Sequence, residues 1–431
     1  MAFSVSVPLN DAAAEAKIAE AYATDPGASP TGRYINTSEA IANSAKYPDV
    51  RFLIVGNKHD CAAPIDDFYP SPTNNDAKLP LAHPWQKSSP ASIGGGKDVM
   101  GGNGDGEMSA VCWYFGVELH NTQKVPIGLI HSSYGGSAVE DWMSKEILGN
   151  GTSGPCPGPI VGSMGQPTQQ YNGQLHPLLN TTIKGAIWYQ GESNNGQNEL
   201  YTCRYEQMMR EWRAEWHAGT GGATDPNFPI GFVQIGPMTN DEQDPSATFA
   251  IRMGQTGGYG YAPNARWPNA FMGTAFDLAN PPGSHCVAGC IHIFNKQAAA
   301  HRLALGARAV VYGEDIVFSG PRVESVVPGS AAGTVEVSYG AIGTEGAGIK
   351  LRGAYGFEGS ADGKTWVRGN ATTATKTTVT VTFPLSLPNL AQVRYAFDDS
   401  PSIFTGTGPA VFNGEGLPAT PGLYNVTLRR S

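Results

Sequence analysis

Three short stretches carry the residue types that acyl transfer needs, and each directly follows an apolar run that reads as a β-strand. SSYGGSAVEDW comes after VPIGLIH (125–131), GESNNG after KGAIWYQ (184–190), and DLANPPGSHCVAGCIH after NAFMGTAF (269–276). Moving an acyl group from an ester to water takes a proton acceptor, a group that orients it, and N–H donors aimed at the developing oxyanion. Gly135 and Gly136 lack the Cβ that would keep such an oxyanion away from the backbone, and Gln190 and Asn194 offer side-chain amides. The histidine best placed as general base is His292, with Glu192 able to orient an imidazole. Asp277, at its strand's end, could do the same or cap the next segment. The glycine pair also fits a plain turn between strand and helix.

Serine is the awkward residue. Ser132 and Ser133 lie at a strand end as alternative nucleophiles, but SSYGGS is not the G-x-S-x-G elbow. His285, Cys286, Cys290 and His292 have a spacing that could contact zinc. A disulfide or two ordinary thiols explains the cysteines more simply, so neither a metal nor a cofactor is expected.

The elements that must position these residues alternate. VRFLIV (50–55), the three runs above and FPIGFVQI (228–235) read as strands. Helical patterns cover 11–22, SAVCWYFGVELH, ELYTCRYEQMMREWRAEW and NKQAAAHRLALGARAVVYG. In the last but one, Leu200, Tyr205, Met208, Met209, Trp212 and Trp216 recur at spacings near 3.6. Strands alternating with helices predict a parallel, helix-covered sheet, whose ligand crevice lies beyond the carboxyl ends of its strands. Residues 56–106, rich in Gly, Pro and Asp, read as one long loop. From Ile316 the runs TVEVSYG, GIKLRGAYGFEGS, TTVTVTF and AQVRYAFDD predict a small β domain resembling a sandwich. The expected division is 1–315 and 316–431.

With 431 residues, 40% of them hydrophobic, 55 glycines and 32 prolines, the chain is a loop-rich globular protein long enough for two domains. A net charge of −9 with scattered basic residues excludes an electrostatic footprint for nucleic acid, and no apolar run is long enough to span a membrane. Five Asn-x-Ser/Thr sequons (Asn36, Asn150, Asn180, Asn370, Asn425) and six cysteines suit an oxidising, secretory compartment, although the chain as written opens without a signal peptide.

Taken as a set, GLIHSSYGGSAVEDW, IKGAIWYQGESN, IHIFNKQAAAHRLALGARAVVYGE and VRYAFDDSP, with SAVCWYFG and GLPATP, resemble the sialate O-acetylesterase family of SGNH-type hydrolases. The likeness runs from residue 1 to about 425. It implies a three-layer α/β/α flavodoxin-like esterase domain with a C-terminal β-sandwich-like domain. It further implies removal of O-acetyl groups from sialic acids or related sugars and glycoconjugates, without a cofactor. The family's oxyanion-hole glycines map to Gly135 and Gly136, its Gln-Gly-Glu-Ser-Asn block to Gln190 through Asn194, and its histidine to His292. Relatives with Asp-Ile-His-Pro have an acid where this chain has Cys290, so Glu192 is the expected orienting carboxylate and Asp277 the second choice. The family's nucleophile lies in a Gly-Gln-Ser-Asn-Met block whose last residue would coincide with Met1. The resemblance therefore implies a secreted or lysosomal parent and a shortened, catalytically impaired chain. The competing expectation is an inactive sugar-binding or interaction glycoprotein.

Overall fold

The computed structural model describes residues 12–55, 61–68, 81–93, 108–160, 167–238, 245–284, 291–385, 387, 389–398, 404, 406 and 408–427. Helices α1 (Ala12–Ala21) and α2 (Thr37–Asn43) lead to strands β1 (Val50–Val55) and β2 (Leu81–Lys87), the single turn α3 (Pro90–Ile93), helix α4 (Ala110–Gln123) and strand β3 (Ile127–His131). There follow α5 (Lys145–Leu148), β4 (Ala186–Trp188), α6 (Asn198–Gly219), β5 (Ile230–Gln234), α7 (Pro245–Gly254), β6 (Ala270–Thr274) and α8 (Lys296–Val310). Nine strands complete the described chain: β7 (Val323–Pro328), β8 (Thr334–Tyr339), β9 (Ile349–Leu351), β10 (Phe357–Ser360), β11 (Val367–Ala374), β12 (Thr378–Thr382), β13 (Gln392–Tyr395), β14 (Val411–Asn413) and β15 (Gly422–Asn425).

The α/β part is layered as the sequence predicts. β1 runs parallel to β3, and β4, β5 and β6 run parallel to one another. Alternate residues of these strands enter two different cores, because successive side chains on a strand point to opposite faces. Trp188, Ile230, Phe232, Ala270 and Met272 pack with Tyr205, Met208, Met209, Trp212 and Trp216 of α6. Their neighbours Ile187, Val233 and Phe271 join Val111 and Leu119 of α4 and Leu303 and Ala307 of α8 on the other side. Burial on both faces is why these strands are nearly continuous apolar runs rather than alternating ones.

Several elements depart from the sequence expectation, the short helices α2, α3 and α5 among them, and two bear on the layering. β2 lies inside the stretch read as one long loop. It pairs antiparallel with β1 through a register shift, Phe52 opposite Gln86 and Ile54 opposite His83, so the irregularity takes in Pro84 and Trp85. A proline is tolerated there because an edge strand with a bulge does not need every N–H in the ladder. Helix α7 was not anticipated either, although its sequence PSATFAIRMG opens on proline and closes on glycine, the usual helix punctuation.

Beyond Val323 the chain builds an antiparallel seven-stranded sheet in the order β15-β13-β10-β11-β12-β8-β7, with β14 and β9 paired beside it. The sheet curls until its ends approach, and Thr427 N donates to Val326 O at 2.9 Å. Its inner face carries Val335, Val337, Phe357, Val379, Val381, Val393 and Tyr395, joined by Phe276 from the exit of β6.

Candidate active site

The loop after β3 turns at Gly136, whose φ of +80° is the left-handed conformation glycine adopts without cost. Ser137 Oγ donates to Tyr134 O at 2.8 Å and accepts from Trp142 Nε1 at 2.9 Å, which closes the turn on itself. Two amides from the loop after β4 then tie this turn down. Gln190 Nε2 donates to Ser137 O at 3.1 Å and to Asn194 Oδ1 at 2.7 Å, so both its amide hydrogens are engaged. Asn194 Oδ1 also accepts from Val139 N at 3.0 Å, and its Nδ2 donates to Glu140 Oε2 at 2.9 Å. Glu140 forms a buried ion pair with Arg204 of α6, whose Nη2 donates to Pro159 O at 2.7 Å. The glycine loop and the Gln-Gly-Glu-Ser-Asn block are thus one buried hydrogen-bonded unit, and such a unit is rigid.

Gly191, between Gln190 and Glu192, has no room for a side chain: a Cβ there would meet methyls of Ile235 and Ile251 at 2.9 Å. The tight turn sets Glu192 at the head of a short 3₁₀ segment, Glu192–Asn194, where it is buried. Opposite it is a cation that sequence reasoning missed. Lys296, the first residue of α8, is buried with its Nζ 5.4 Å from the centroid of the Tyr189 ring. Burial pushes its ammonium down to about 8, opposed by the negative charge of Glu192. Burial and the Glu192 charge also hold the Tyr189 phenol well above its usual range. The only sequence signal for Lys296 was its place in the Asn-Lys-Gln stretch that opens a helix.

His292 lies four residues before Lys296 and is half-buried. Asn280, from the β6 exit, fixes its backbone: Asn280 Nδ2 donates to His292 O at 2.9 Å and Asn280 Oδ1 accepts from Phe294 N at 2.7 Å. The loops after β3 and β4 are therefore linked by amides, and the start of α8 approaches the second of them where Lys296 lies over Tyr189. Asp277 is engaged elsewhere, since its two oxygens take Arg302 Nη1 and Nη2 at 2.6 and 2.8 Å.

The two serines differ. Ser132 Oγ donates to Gln174 O at 3.2 Å, whereas Ser133 Oγ lies 2.9 Å from His131 Nε2. Both line a cavity of about 80 Å³ between β3 and β4, with Tyr189, Gln190 and Cys112 on its walls. Burial pushes the Cys112 thiol up to about 12, which leaves no thiolate nucleophile there near neutral pH. His285, Cys286 and Cys290 of the possible zinc set lie outside the described residues, among which no cluster of three metal-ligating side chains occurs. No helix among the described residues is long and apolar enough to cross a membrane.

The strand ends of this three-layer α/β scaffold thus present a glycine turn, an amide-rich block and a histidine, the kinds of group used in acyl transfer. Residues 104–282 match the family described as carbohydrate esterase, sialic acid-specific acetylesterase. The chain is 35% identical over 309 residues to the human sialate O-acetylesterase and 33% identical over 335 residues to the mouse one, with 70% of this chain aligned in each case. Its fold is similar to the crystal structure of a carbohydrate acetylesterase from Xanthomonas citri, at a TM-score of 0.67 and 25% identity, covering 93% of this chain and 77% of that one. The chain belongs to the sialate O-acetylesterase family. It spans about half the length of the curated relatives it matches, 55% of the human protein and 58% of the mouse protein.

Proposed function

We propose that this chain carries the acyl-transfer machinery of a carboxylic ester hydrolase that removes O-acetyl groups from sialic acid or related acetylated sugars. The observation that carries the proposal is the buried joining of the Gly135–Gly136 turn to the Gln190–Asn194 block by Gln190 and Asn194. In this scheme His292 takes the proton from an attacking serine hydroxyl and returns it to the leaving sugar oxygen. With Asp277 held by Arg302, Glu192 is the carboxylate left to orient the imidazole. The oxyanion is met by the backbone N–H groups of Gly135 and Gly136 and by the second amide hydrogen of Asn194. Gln190, both of whose hydrogens are engaged, holds the hole together from behind.

A second assignment of the nucleophile rests on the 2.9 Å contact between Ser133 Oγ and His131 Nε2, a serine already hydrogen-bonded to an imidazole. Acetate release from a 9-O-acetylated sialic acid separates the two. It is measured on the chain as written and on the chain extended by any coding sequence preceding Met1 in its gene. Under the first assignment His292→Ala lowers kcat/KM roughly a thousandfold and Ser133→Ala changes it little. The reverse pattern assigns Ser133, and no release above buffer by either form overturns the proposal.

A secretory or lysosomal setting is supported by the exposure of all five sequon asparagines, Asn36, Asn150, Asn180, Asn370 and Asn425, and by the disulfide between Cys156 and Cys203.

A further inference from the structure

The outer face of the C-terminal sheet holds a cavity unconnected with the acyl-transfer loops. Cross-strand register places Arg368 of β11 and Arg394 of β13 on either side of Glu358 of β10, one row of side chains on one face. Arg394 is the fixed member. Its Nε donates to Glu358 Oε2 at 2.7 Å, and its guanidinium carbon lies 4.2 Å from the Trp366 ring centroid and 3.3 Å from that of Phe397. Phe397 is brought over it by Ala396, which takes a φ of +55°, a left-handed conformation that a residue with a Cβ adopts at a cost. Phe397 is held in turn by Phe249 of α7, ring centroids 5.0 Å apart.

The row and Phe397 line a cavity of about 170 Å³, the size of a single sugar ring, together with Tyr355 and Asp398. Tyr355 leaves 40% of its surface exposed at the edge. Arg368 is 66% exposed and 4.0 Å from Asp398, too far for a tight pair, so its donors remain available to a ligand. Two planar guanidinium groups and two carboxylates nearly cancel in charge. They offer alternating donors and acceptors, which matches vicinal hydroxyls better than a phosphate or a carboxylate. An exposed phenol ring beside them supplies an apolar face for the C–H side of a pyranose.

We infer that this cavity is a saccharide-binding site for a neutral pyranose residue of a glycan, separate from the acyl-transfer loops. It would hold the glycan while another part of it is deacetylated, but binding here does not depend on that activity. Saturation-transfer NMR of the full chain with lactose and with N-acetyllactosamine tests it. Transfer to pyranose ring protons is expected from at least one sugar. Tyr355→Ala and Arg368→Ala, both at exposed positions, should each weaken it severalfold without shifting the melting temperature. The inference is overturned if neither sugar receives saturation, or if transfer is the same in both variants as in the parent.

Discussion

Asn194 holds three partners at once: Val139 N and Gln190 Nε2 on its oxygen and Glu140 on its nitrogen. Asn194 is 1% exposed, so truncation would leave the Val139 N–H and one amide hydrogen of Gln190 buried without an acceptor rather than returned to water. Asn194→Ala is therefore expected to cost about 2–4 kcal/mol of stability, measured by urea unfolding. Gly135→Ala is the contrast. Nothing lies within 4 Å of a Cβ built there, so stability should stay within about 0.5 kcal/mol while any oxyanion contact from that face is crowded. Equal destabilisation by the two substitutions would mean that the turn is held by something other than the amide network. The types of Gln190, Asn194 and Glu192 marked them as chemical from sequence alone. That Gln190 is a strut could not be read there, because its acceptor Ser137 O lies over fifty positions away and is a backbone atom.

Helix α6 joins the site to the core, and it carries an acidic cluster that ties the fold to pH. Burial pushes the Glu211 carboxyl up to about 7; two hydrogen bonds from Ser144 oppose this, and the charges of Glu215 and Glu146 add to it. Glu215, one turn on, is also held above its usual range by burial, despite the hydrogen bond it accepts from Tyr171. A carboxyl raised on folding binds more protons native than unfolded between its two pKa values, so stability falls as pH rises from about 4.5 through 7. For Glu211 the difference is on the order of 3 kcal/mol. Glu211→Gln, which keeps an oxygen for Ser144 N, should be more stable than the parent at pH 7.5 and nearly equal to it at pH 5. Urea midpoints at the two pH values check this, and a parent more stable at pH 7.5 than at pH 5 would refute it. The apolar stripe of α6 was plain from its 3.6-residue period. The titration was not, because Glu211 looks like an ordinary surface glutamate until Ser144 and α5 cover it. β2 escaped for a related reason: its pairing is set by a bulge around Pro84 and not by any alternation in its own sequence.

At the scale of the whole molecule the order of strands and helices was legible because the layers differ in pattern, a 3.6-residue period on α6, continuous apolar runs in the parallel strands and a period of 2 on C-terminal strands such as β8 and β12. The cysteine pairing was not, since six cysteines allow fifteen arrangements and only the path of the chain brings Cys156 to Cys203. That bond spans 47 residues. By loop-closure entropy a crosslink of this length stabilises the fold by about 4 kcal/mol. It also acts locally. The loop it anchors presents Gly158 O and Pro159 O to Arg204 at 3.2 and 2.7 Å, and Arg204 fixes Glu140, which fixes Asn194. Opening the disulfide should therefore loosen the acyl-transfer loops as well as the fold. Dithiothreitol is expected to lower the melting temperature by several degrees, and Cys203→Ser should reproduce that loss and then respond no further to the reductant. Hydrogen exchange at Val139 N, which donates to Asn194 Oδ1, should speed up in both cases. A melting temperature indifferent to reductant, or a Cys203→Ser variant that still responds to it, would show that this crosslink does not brace the site.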